Sequence, residues 1–482
     1  MNTRNLTLLT DLYELTMMQG YFETQENETV IFDVFFRNNP NNGGYSIMAG
    51  LDQVIDYIKN LNFSYEDVDY LRGLGIFTED FLHYLSGFHF SGDIYAIREG
   101  SVIFPKEPLL KIVAPIMEAQ LVETAILNII NHQCLIATKA SRVVYAAQGD
   151  GIMEFGLRRA QGPDAGLYGA RAAMIGGCVG TSNVLAGQMF DVPVMGTHAH
   201  SWIMSFKDEY TAFKEYARLY PNACTLLVDT YDTLKSGVPN AIRVFTEMRD
   251  AGIHPKSYGI RLDSGDLAYL SKKARKMLDE AGFTDAVIAA SNDLDEFLIN
   301  DLKIQGAKIG SWGVGTNLIT SKDCPSFGGV YKLSAIQNND GEFIPKIKIS
   351  ENVEKITNPG DKTIYRVYDK ETGKIRADLI CFADETWNEE DELLLFDSNA
   401  TWKKTRLPGG SYTMKEILLP IFKHGECIYE SPSVMEIAQF CKEEKETLWD
   451  ETKRLFNPHG VYVDLSRSLY DTKNRLLDDM SK

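Results

Sequence analysis

Between residues 150 and 316 one local pattern recurs seven times: a short apolar run ending in polar, charged or glycine residues. The runs are Gly151-Ile-Met-Glu-Phe-Gly-Leu-Arg158, Met174-Ile-Gly-Gly-Cys-Val-Gly-Thr-Ser182, Val192-Pro-Val-Met-Gly-Thr-His-Ala-His200 and Cys224-Thr-Leu-Leu-Val-Asp229. They continue with Ser257-Tyr-Gly-Ile-Arg-Leu-Asp263, Ala286-Val-Ile-Ala-Ala-Ser-Asn292 and Ala307-Lys-Ile-Gly-Ser-Trp-Gly-Val-Gly-Thr316. Most stretches between them read as helices. Parallel strands covered on both faces are short and continuously apolar. Polar residues gathered at their C-terminal ends are what an α/β barrel uses to build one site from many strands. The expected fold is therefore α/β with an irregular, TIM-like barrel, and the expected class is enzyme.

Bulk properties narrow the options. A chain of 482 residues exceeds one ordinary core, so two or three domains are expected. The net charge of −18 argues against a nucleic-acid or anionic-membrane partner. An anionic substrate would need a locally basic pocket, which arginines at strand ends can supply. The seven cysteines include no Cys-x-x-Cys pair, so neither a disulfide framework nor a cysteine-rich zinc site is suggested, and a reducing cytoplasm fits. Arg4, Asp11 and Glu14 interrupt the N-terminal apolar residues, unlike a signal peptide. The longest uncharged stretch, Ala172 to Phe190, is broken by glycines and does not read as a membrane span.

Four regions follow from the change of texture along the chain. Residues 1–148 read as an N-terminal α+β domain, with an apolar helix near Leu6 to Tyr21 and a strand over Val30 to Phe36. Residues 149–330 hold the barrel series. Residues 331–400 are β-rich, with turn signals at Asn339-Asp-Gly and Glu371-Thr-Gly. That segment is expected to return to the N-terminal strands, since neither piece alone buries much surface. Residues 401–482 read as largely helical, with Ser433-x-x-Glu436 as a capping box.

Four strings can carry chemistry. Gly196-Thr-His-Ala-His200 puts two histidines on a strand-end loop, where they can serve as metal ligands, general bases or a phosphoryl acceptor. The bland alternative is a histidine that only hydrogen-bonds a neighbour. Arg261-Leu-Asp263 combines a guanidinium suited to carboxylate or phosphate with a carboxylate able to accept from two vicinal hydroxyls. A surface ion pair is the alternative there, and the apolar run around Arg261 speaks against it. Gly310-Ser-Trp-Gly-Val-Gly-Thr-Asn317 permits close backbone approach to a phosphate, or simply makes a tight turn. Phe155-Gly-Leu-Arg158-Arg159 offers an aromatic and arginines to a flat anionic ring, or packs in the core.

Together these strings resemble the nicotinate phosphoribosyltransferase family. The resemblance rests on Leu9-Thr-Asp-Leu-Tyr13, Phe35-Phe-Arg37, Glu154-Phe-Gly-Leu-Arg-Arg-Ala-Gln-Gly-Pro163, Gly180-Thr-Ser-Asn-Val-Leu-Ala-Gly187, Gly196-Thr-x-Ala-His200, Arg261-Leu-Asp-Ser-Gly-Asp266 and Gly328-Gly-Val-Tyr-Lys-Leu333, in family order. His198 falls at a variable position of its string. The resemblance implies transfer of phosphoribosyl from PRPP to nicotinate, giving nicotinate mononucleotide and pyrophosphate in NAD salvage. It implies ATP as co-substrate, hydrolysed through a phosphohistidine at His200, with Mg²⁺ accompanying PRPP and ATP and no dedicated metal site. It also implies a homodimer with shared active sites. By the same resemblance Tyr13 and Phe155 sandwich the pyridine ring, and Thr197 and Arg261 hold its carboxylate. Asp263, Ser291 and Asn292 meet ribose hydroxyls, and Gly313, Gly315 and Thr316 cradle the 5′-phosphate. Arg37 and Arg158 meet phosphate or pyrophosphate, Arg37 from the other subunit. To Asp229, at the strand end after His200, we assign the orienting of that histidine.

Two rivals stand beside this reading. The nicotinamide-using relative has an aspartate where this chain has Ser182, and loss of that carboxylate favours the acid substrate. A metal-dependent barrel hydrolase would use His198, His200, Asp229 and Asp263.

Overall fold

The computed structural model describes residues 5–480, except 25, 353, 354, 398 and 399. The chain divides into two compact units. One comprises residues 1–135, 326–432 and 440–482; the other comprises residues 136–325 and 433–439.

The second unit is built on a parallel sheet. Its strands are β1 Gly151–Glu154, β2 Gly180–Thr181, β3 Ala223–Leu227, β4 Ser257–Leu262, β5 Val287–Ala290 and β6 Ser311–Val314. Their order is β2-β1-β6-β5-β4-β3, so the first strand of the series pairs with the last, Gly151 opposite Ser311 and Glu154 opposite Val314. Ile152, Leu226, Ile260, Leu262, Ile288, Trp312 and Val314 are all buried, as expected of strands covered on both faces. Gly259 is required at one point: a Cβ there would lie 1.9 Å from the Val287 carbonyl of β5. Helices Pro163–Gly176, Val238–Asp250, Leu267–Glu280 and Glu296–Ile304 fill the connections. Asp266 and Asp295 cap the last two by accepting from the Tyr269 and Leu298 amides.

Among the described residues the seven runs of the expected irregular, TIM-like barrel do not all become strands. Six strands make the ladder, and of the run beginning at Val192 only Val194 bridges, to Thr181. The run Met174–Ser182 is corrected too: its first residues finish the helix Pro163–Gly176, and only Gly180–Thr181 is strand. Main-chain pairing therefore stops between Val194 and β3. Side chains span that gap: the Thr197 hydroxyl donates to the Thr225 carbonyl at 3.0 Å, and the Leu227 amide donates to His198 Nε2 at 3.3 Å.

The first unit is assembled from distant segments. Its seven-stranded sheet runs Phe343–Pro345, Gly329–Gln337, Thr29–Phe36, Leu110–Pro115, Asp93–Ile97, Leu418–Lys423, Glu426–Cys427. Of the β-rich segment, Gly329–Gln337 and Phe343–Pro345 return to the N-terminal strands, with Phe32 opposite Leu333, whereas Lys362–Asp369 and Ile375–Phe382 join a separate four-stranded sheet with Tyr412–Glu416 and Tyr462–Leu465. The expected helical region over 401–482 is corrected: Lys404–Leu407, Tyr412–Glu416, Leu418–Lys423 and Tyr462–Leu465 are strands. Their β-branched and aromatic residues complete sheets begun elsewhere, a tertiary demand that local helix signals do not register. The capping box at Ser433 and Glu436 does form and opens the helix Val434–Glu446.

A buried guanidinium ties the smaller, four-stranded sheet together. Arg366 reaches Asp378 from Nε at 3.0 Å and Nη2 at 2.7 Å, Glu444 from Nη1 at 3.0 Å, and the Val102 carbonyl from Nη2 at 2.8 Å. Burial and the nearby Asp378 push the neighbouring Glu107 carboxyl well above its usual range. Removing one partner of a buried ion pair leaves the other uncompensated. Asp378→Ala should cost about 3–5 kcal/mol in urea denaturation, and the double change Arg366→Met with Asp378→Leu should cost less. Equal losses would show that the pair is not what holds this sheet.

Candidate active site

The C-terminal ends of the parallel strands enclose two adjoining cavities. One, of about 360 Å³, is lined by Phe155, Leu157, Arg158, Ser182, residues 196–199 and Arg261. The other, of about 320 Å³, is lined by Phe155, Arg158, Arg159, Arg261, Asp263, Ser291, Asn292, Asp293, Gly313, Gly315 and Thr316. Phe155, Arg158 and Arg261 belong to both.

Each wall has a local cause. Gly313 carries no side chain because a Cβ there would strike the Phe155 ring at 2.6 Å, and a Cβ on Gly315 would sit 3.2 Å from the Phe155 carbonyl oxygen. These glycines, expected to admit a phosphate, first of all admit Phe155. Asn292 holds a left-handed φ of 96°, a strained conformation for a residue with a side chain and a common mark of functional loops. The Ser291 hydroxyl donates to Asp263 Oδ1.

Arg261 is largely desolvated. Its Nη2 donates to the His198 carbonyl at 3.2 Å, and its Nε is buried without a hydrogen-bond partner. Burial lowers its affinity for the proton, while the charges of Asp263 and Asp229 oppose that effect. A buried donor without a partner is a ready recognition element for an anion. Thr197, by contrast, is committed: its hydroxyl bonds the Thr225 carbonyl, so in this structure it does not point a free donor at a substrate carboxylate.

The two histidines separate by environment. His198 is buried, lies edge-on to Tyr216 with ring centroids 4.6 Å apart, and accepts the Leu227 amide on Nε2. Burial first, then the positive Arg261, pushes its imidazole down to about 4. It is a neutral structural residue. The His200 side chain is 39% exposed, with Nδ1 at 3.1 Å from the Thr230 hydroxyl and Nε2 at 3.6 Å from Asp263 and 4.0 Å from Asp229. Asp229 is held in turn, its Oδ2 accepting from the Asp263 amide at 2.8 Å and the Ser264 hydroxyl at 2.6 Å.

Known proteins match along the whole chain. The N-terminal domain, family and C-terminal domain models of nicotinate phosphoribosyltransferase match residues 8–131, 151–372 and 361–473. The nicotinate phosphoribosyltransferase of Bacillus subtilis (strain 168) is 46% identical over 99% of this chain and 96% of its own length. The chain belongs to the nicotinate phosphoribosyltransferase family. The Caenorhabditis elegans nicotinate phosphoribosyltransferase is 36% identical, over 96% of this chain and 92% of its own. The crystal structure of human nicotinic acid phosphoribosyltransferase matches with a TM-score of 0.85 at 28% identity, covering 97% of this chain and 99% of that chain.

Against the set of residues that family resemblance implied, the structure brings Phe155, Arg158, Ser182, Thr197, Arg261, Asp263, Ser291, Asn292, Gly313, Gly315 and Thr316 around the two cavities. His200 and Asp229 adjoin Asp263. Tyr13 and Arg37 lie in the first unit, Tyr13 46% exposed on the helix Leu12–Thr24 and Arg37 at the wall of a separate cavity.

Sequence reasoning missed Glu154 as a site residue. It is fully buried, accepts the Thr181 hydroxyl at 2.6 Å and the Gly156 amide, and so ties the Phe155 loop to the loop of Ser182. It opens the string Glu154-Phe-Gly-Leu-Arg-Arg-Ala-Gln-Gly-Pro163, where it was given no role. Thr230 and Asp293 were missed for want of a motif, whereas Arg159, read beside Arg158 in the same string, does line a cavity wall.

The His198 assignment has a measurable consequence. Its depressed folded pKa means that unfolding takes up a proton below the ordinary histidine range. The stabilisation is complete above about 6.5, the unfolded value, and is lost as pH falls toward about 4. NMR of the His198 ring should show no titration near 6.5. Titration there would mean that its bond to Leu227 does not form.

Proposed function

We propose that the chain transfers phosphoribosyl from PRPP to the ring nitrogen of nicotinate, forming nicotinate mononucleotide and pyrophosphate in NAD salvage. The observation that carries this reading is the pair of cavities sharing Phe155, Arg158 and Arg261. The smaller substrate ring fits the cavity of Ser182, with Phe155 against its face and the unpartnered Arg261 Nε toward its carboxylate. The ribose and its 5′-phosphate fit the other, against Asp263, Asn292 and the Gly313–Thr316 segment. The pyridine nitrogen attacks the anomeric carbon as that carbon's bond to pyrophosphate breaks. Positive charge develops on the ribose, so alignment and the carboxylate of Asp263 supply the stabilisation.

ATP is the co-substrate, and His200 accepts its γ-phosphoryl group. Asp229 and Asp263 face Nε2 and favour a proton there, so the proton-free ring nitrogen is the nucleophile. Water then releases phosphate from the phosphohistidine. Mg²⁺ arrives with the phosphates of PRPP and ATP, as this ion usually does. Half-exposed Asp263 is the carboxylate best suited to meet it, and among the described residues no cluster of three or more His, Cys, Asp or Glu residues offers a metal cage. Tyr13 and Arg37 act on the ring and the phosphates from the second copy of a homodimer.

The metal-hydrolase alternative is disfavoured because His198 Nε2 is already bound to main chain. The nicotinamide alternative is disfavoured because the ring cavity holds Ser182 and no carboxylate.

The direct test is pyrophosphate release from PRPP with nicotinate or nicotinamide, with and without ATP. Nicotinate should be used, and ATP should stimulate. His200→Ala should abolish ATP hydrolysis and leave slow nucleotide formation; full ATP coupling in that variant would remove the phosphohistidine from the mechanism. Ser182→Asp probes substrate choice. Two like charges ~4 Å apart at an effective dielectric of ~20 repel by about 4 kcal/mol, so kcat/KM for nicotinate should fall at least about 100-fold relative to nicotinamide. An unchanged ratio would show that Ser182 does not face the ring.

A further inference from the structure

Ser182 lines the ring cavity between two buried neighbours, Thr181 and Asn183. Main-chain pairing alone holds this loop weakly, because β2 is only two residues long. The side chain of Glu154, at the end of β1, extends the hold. Its Oε2 accepts the Thr181 hydroxyl at 2.6 Å, and its Oε1 accepts the amide of Gly156, the residue after Phe155. Gly156 permits that reach: a Cβ there would lie 2.9 Å from Oε1 and 2.5 Å from the Ile319 side chain. The bonds continue beyond Thr181. Its hydroxyl accepts the Asn183 amide at 3.0 Å, and the Asn183 side chain donates to the Gly166 carbonyl at 3.1 Å and accepts from the Ala186 amide at 3.1 Å. Ser182 is thus fixed on both sides by a relay that starts at Glu154, and the same carboxylate fixes the turn that follows Phe155.

A carboxylate in this place is costly. It is fully buried, and burial pushes its carboxyl up, opposed by the bonds from Thr181 and Gly156. Its partner across the ladder in β6, Val314, is apolar, so strand pairing does not require a charged group here. A buried polar group can be exchanged for an apolar one of the same shape at little cost when its bonds serve no other end. Glu154 lies behind the cavity walls rather than in them, so the end its bonds serve is the placing of residues that do line them.

We propose that Glu154, acting through Thr181, is a positioning residue that sets Ser182 against Phe155 and thereby governs recognition of the nicotinate ring. The inference deepens the proposed function and rests on its placing of the ring in the cavity of Ser182. The neighbouring cavity, of Asp263 and Gly313–Thr316, shares Phe155 with it but contains no part of the Thr181 relay. Loss of the relay therefore falls on nicotinate and spares PRPP.

The experiment measures KM for nicotinate, KM for PRPP and kcat on the full-length protein, and nicotinate affinity by calorimetry with and without PRPP. Thr181→Val removes the hydroxyl and leaves Oε2 of Glu154 without its donor. This variant and Glu154→Ala should each raise KM for nicotinate about tenfold, the scale of one lost charge-assisted hydrogen bond, with KM for PRPP unchanged. Thr181→Ser and Glu154→Gln should keep the parent KM for nicotinate: serine retains the hydroxyl, and glutamine retains an acceptor for Gly156 and an amide from which Thr181 can accept. If Glu154→Ala does not fold, Thr181→Val decides the question. An unchanged nicotinate KM in Thr181→Val, or both KM values rising together, would overturn the proposal, since a merely structural residue spreads its effect over both cavities. A parent protein that binds nicotinate but forms no nucleotide would remove the proposed reaction, and an affinity about tenfold weaker in Thr181→Val would still uphold the positioning role. A parent that binds no nicotinate would overturn both.

Discussion

The pairing of Gly151–Glu154 with Ser311–Val314 is the constraint on which the rest of the second unit depends. It joins the first and last strands of a sequential parallel series, and so brings loops from opposite ends of the series onto one rim. Phe155 then meets Gly313 and Gly315, Arg158 and Arg261 enter the same walls, and Ser291 reaches Asp263. A linear sheet of the same strands would leave these groups apart. The ring is incomplete on the opposite side, and there side chains replace the ladder. Thr197 and the buried His198 are therefore structural, and of the two histidines in the string only His200 is left accessible.

Charge is arranged on the same logic. Two buried carboxylates at the site are held by donors: Glu154 by Thr181 and Gly156, and Oδ2 of Asp229 by Asp263 and Ser264. They fix the loops that carry the reactive groups, because an ionised or hydrogen-bonded carboxylate in a dry environment tolerates few geometries. The cationic groups are treated differently. Arg261 and Arg37 each retain a buried Nε that has no hydrogen-bond partner among the described residues. In an acidic chain these unneutralised positions are where anions are favoured.

Much of the fold was legible in the chain itself. Short apolar runs capped by polar residues specify buried parallel strands, because only such strands need both faces apolar and only their ends reach solvent. The strand after Gly329 returns to the N-terminal strands as expected, with Phe32 opposite Leu333, while the strands from Lys362 onward pack a core of their own around Val367, Leu379 and Leu393. The strings Phe155–Arg159, Arg261–Asp263 and Gly313–Thr316 were recognisable because guanidinium, carboxylate and glycine are costly in apolar runs without a task.

Other features belonged to the tertiary structure. Two histidines two residues apart are equivalent in a sequence; burial first, and the nearby Arg261, push His198 down, and a main-chain amide 29 positions away bonds its ring, while two carboxylates flank His200. Thr230 carries no motif, and the role of Glu154 depends on Thr181, which comes from another strand. The strands between 404 and 465 exist only because distant sheets offer them edges. The sequence by itself therefore determined most strands of the parallel sheet, the Met174 and Val192 runs excepted, and which residue types gather at their ends, because burial and periodicity are local properties. Only the tertiary structure decided which strands close on each other, which histidine stays accessible and which cations go unpaired, because those depend on contacts between residues far apart in the chain.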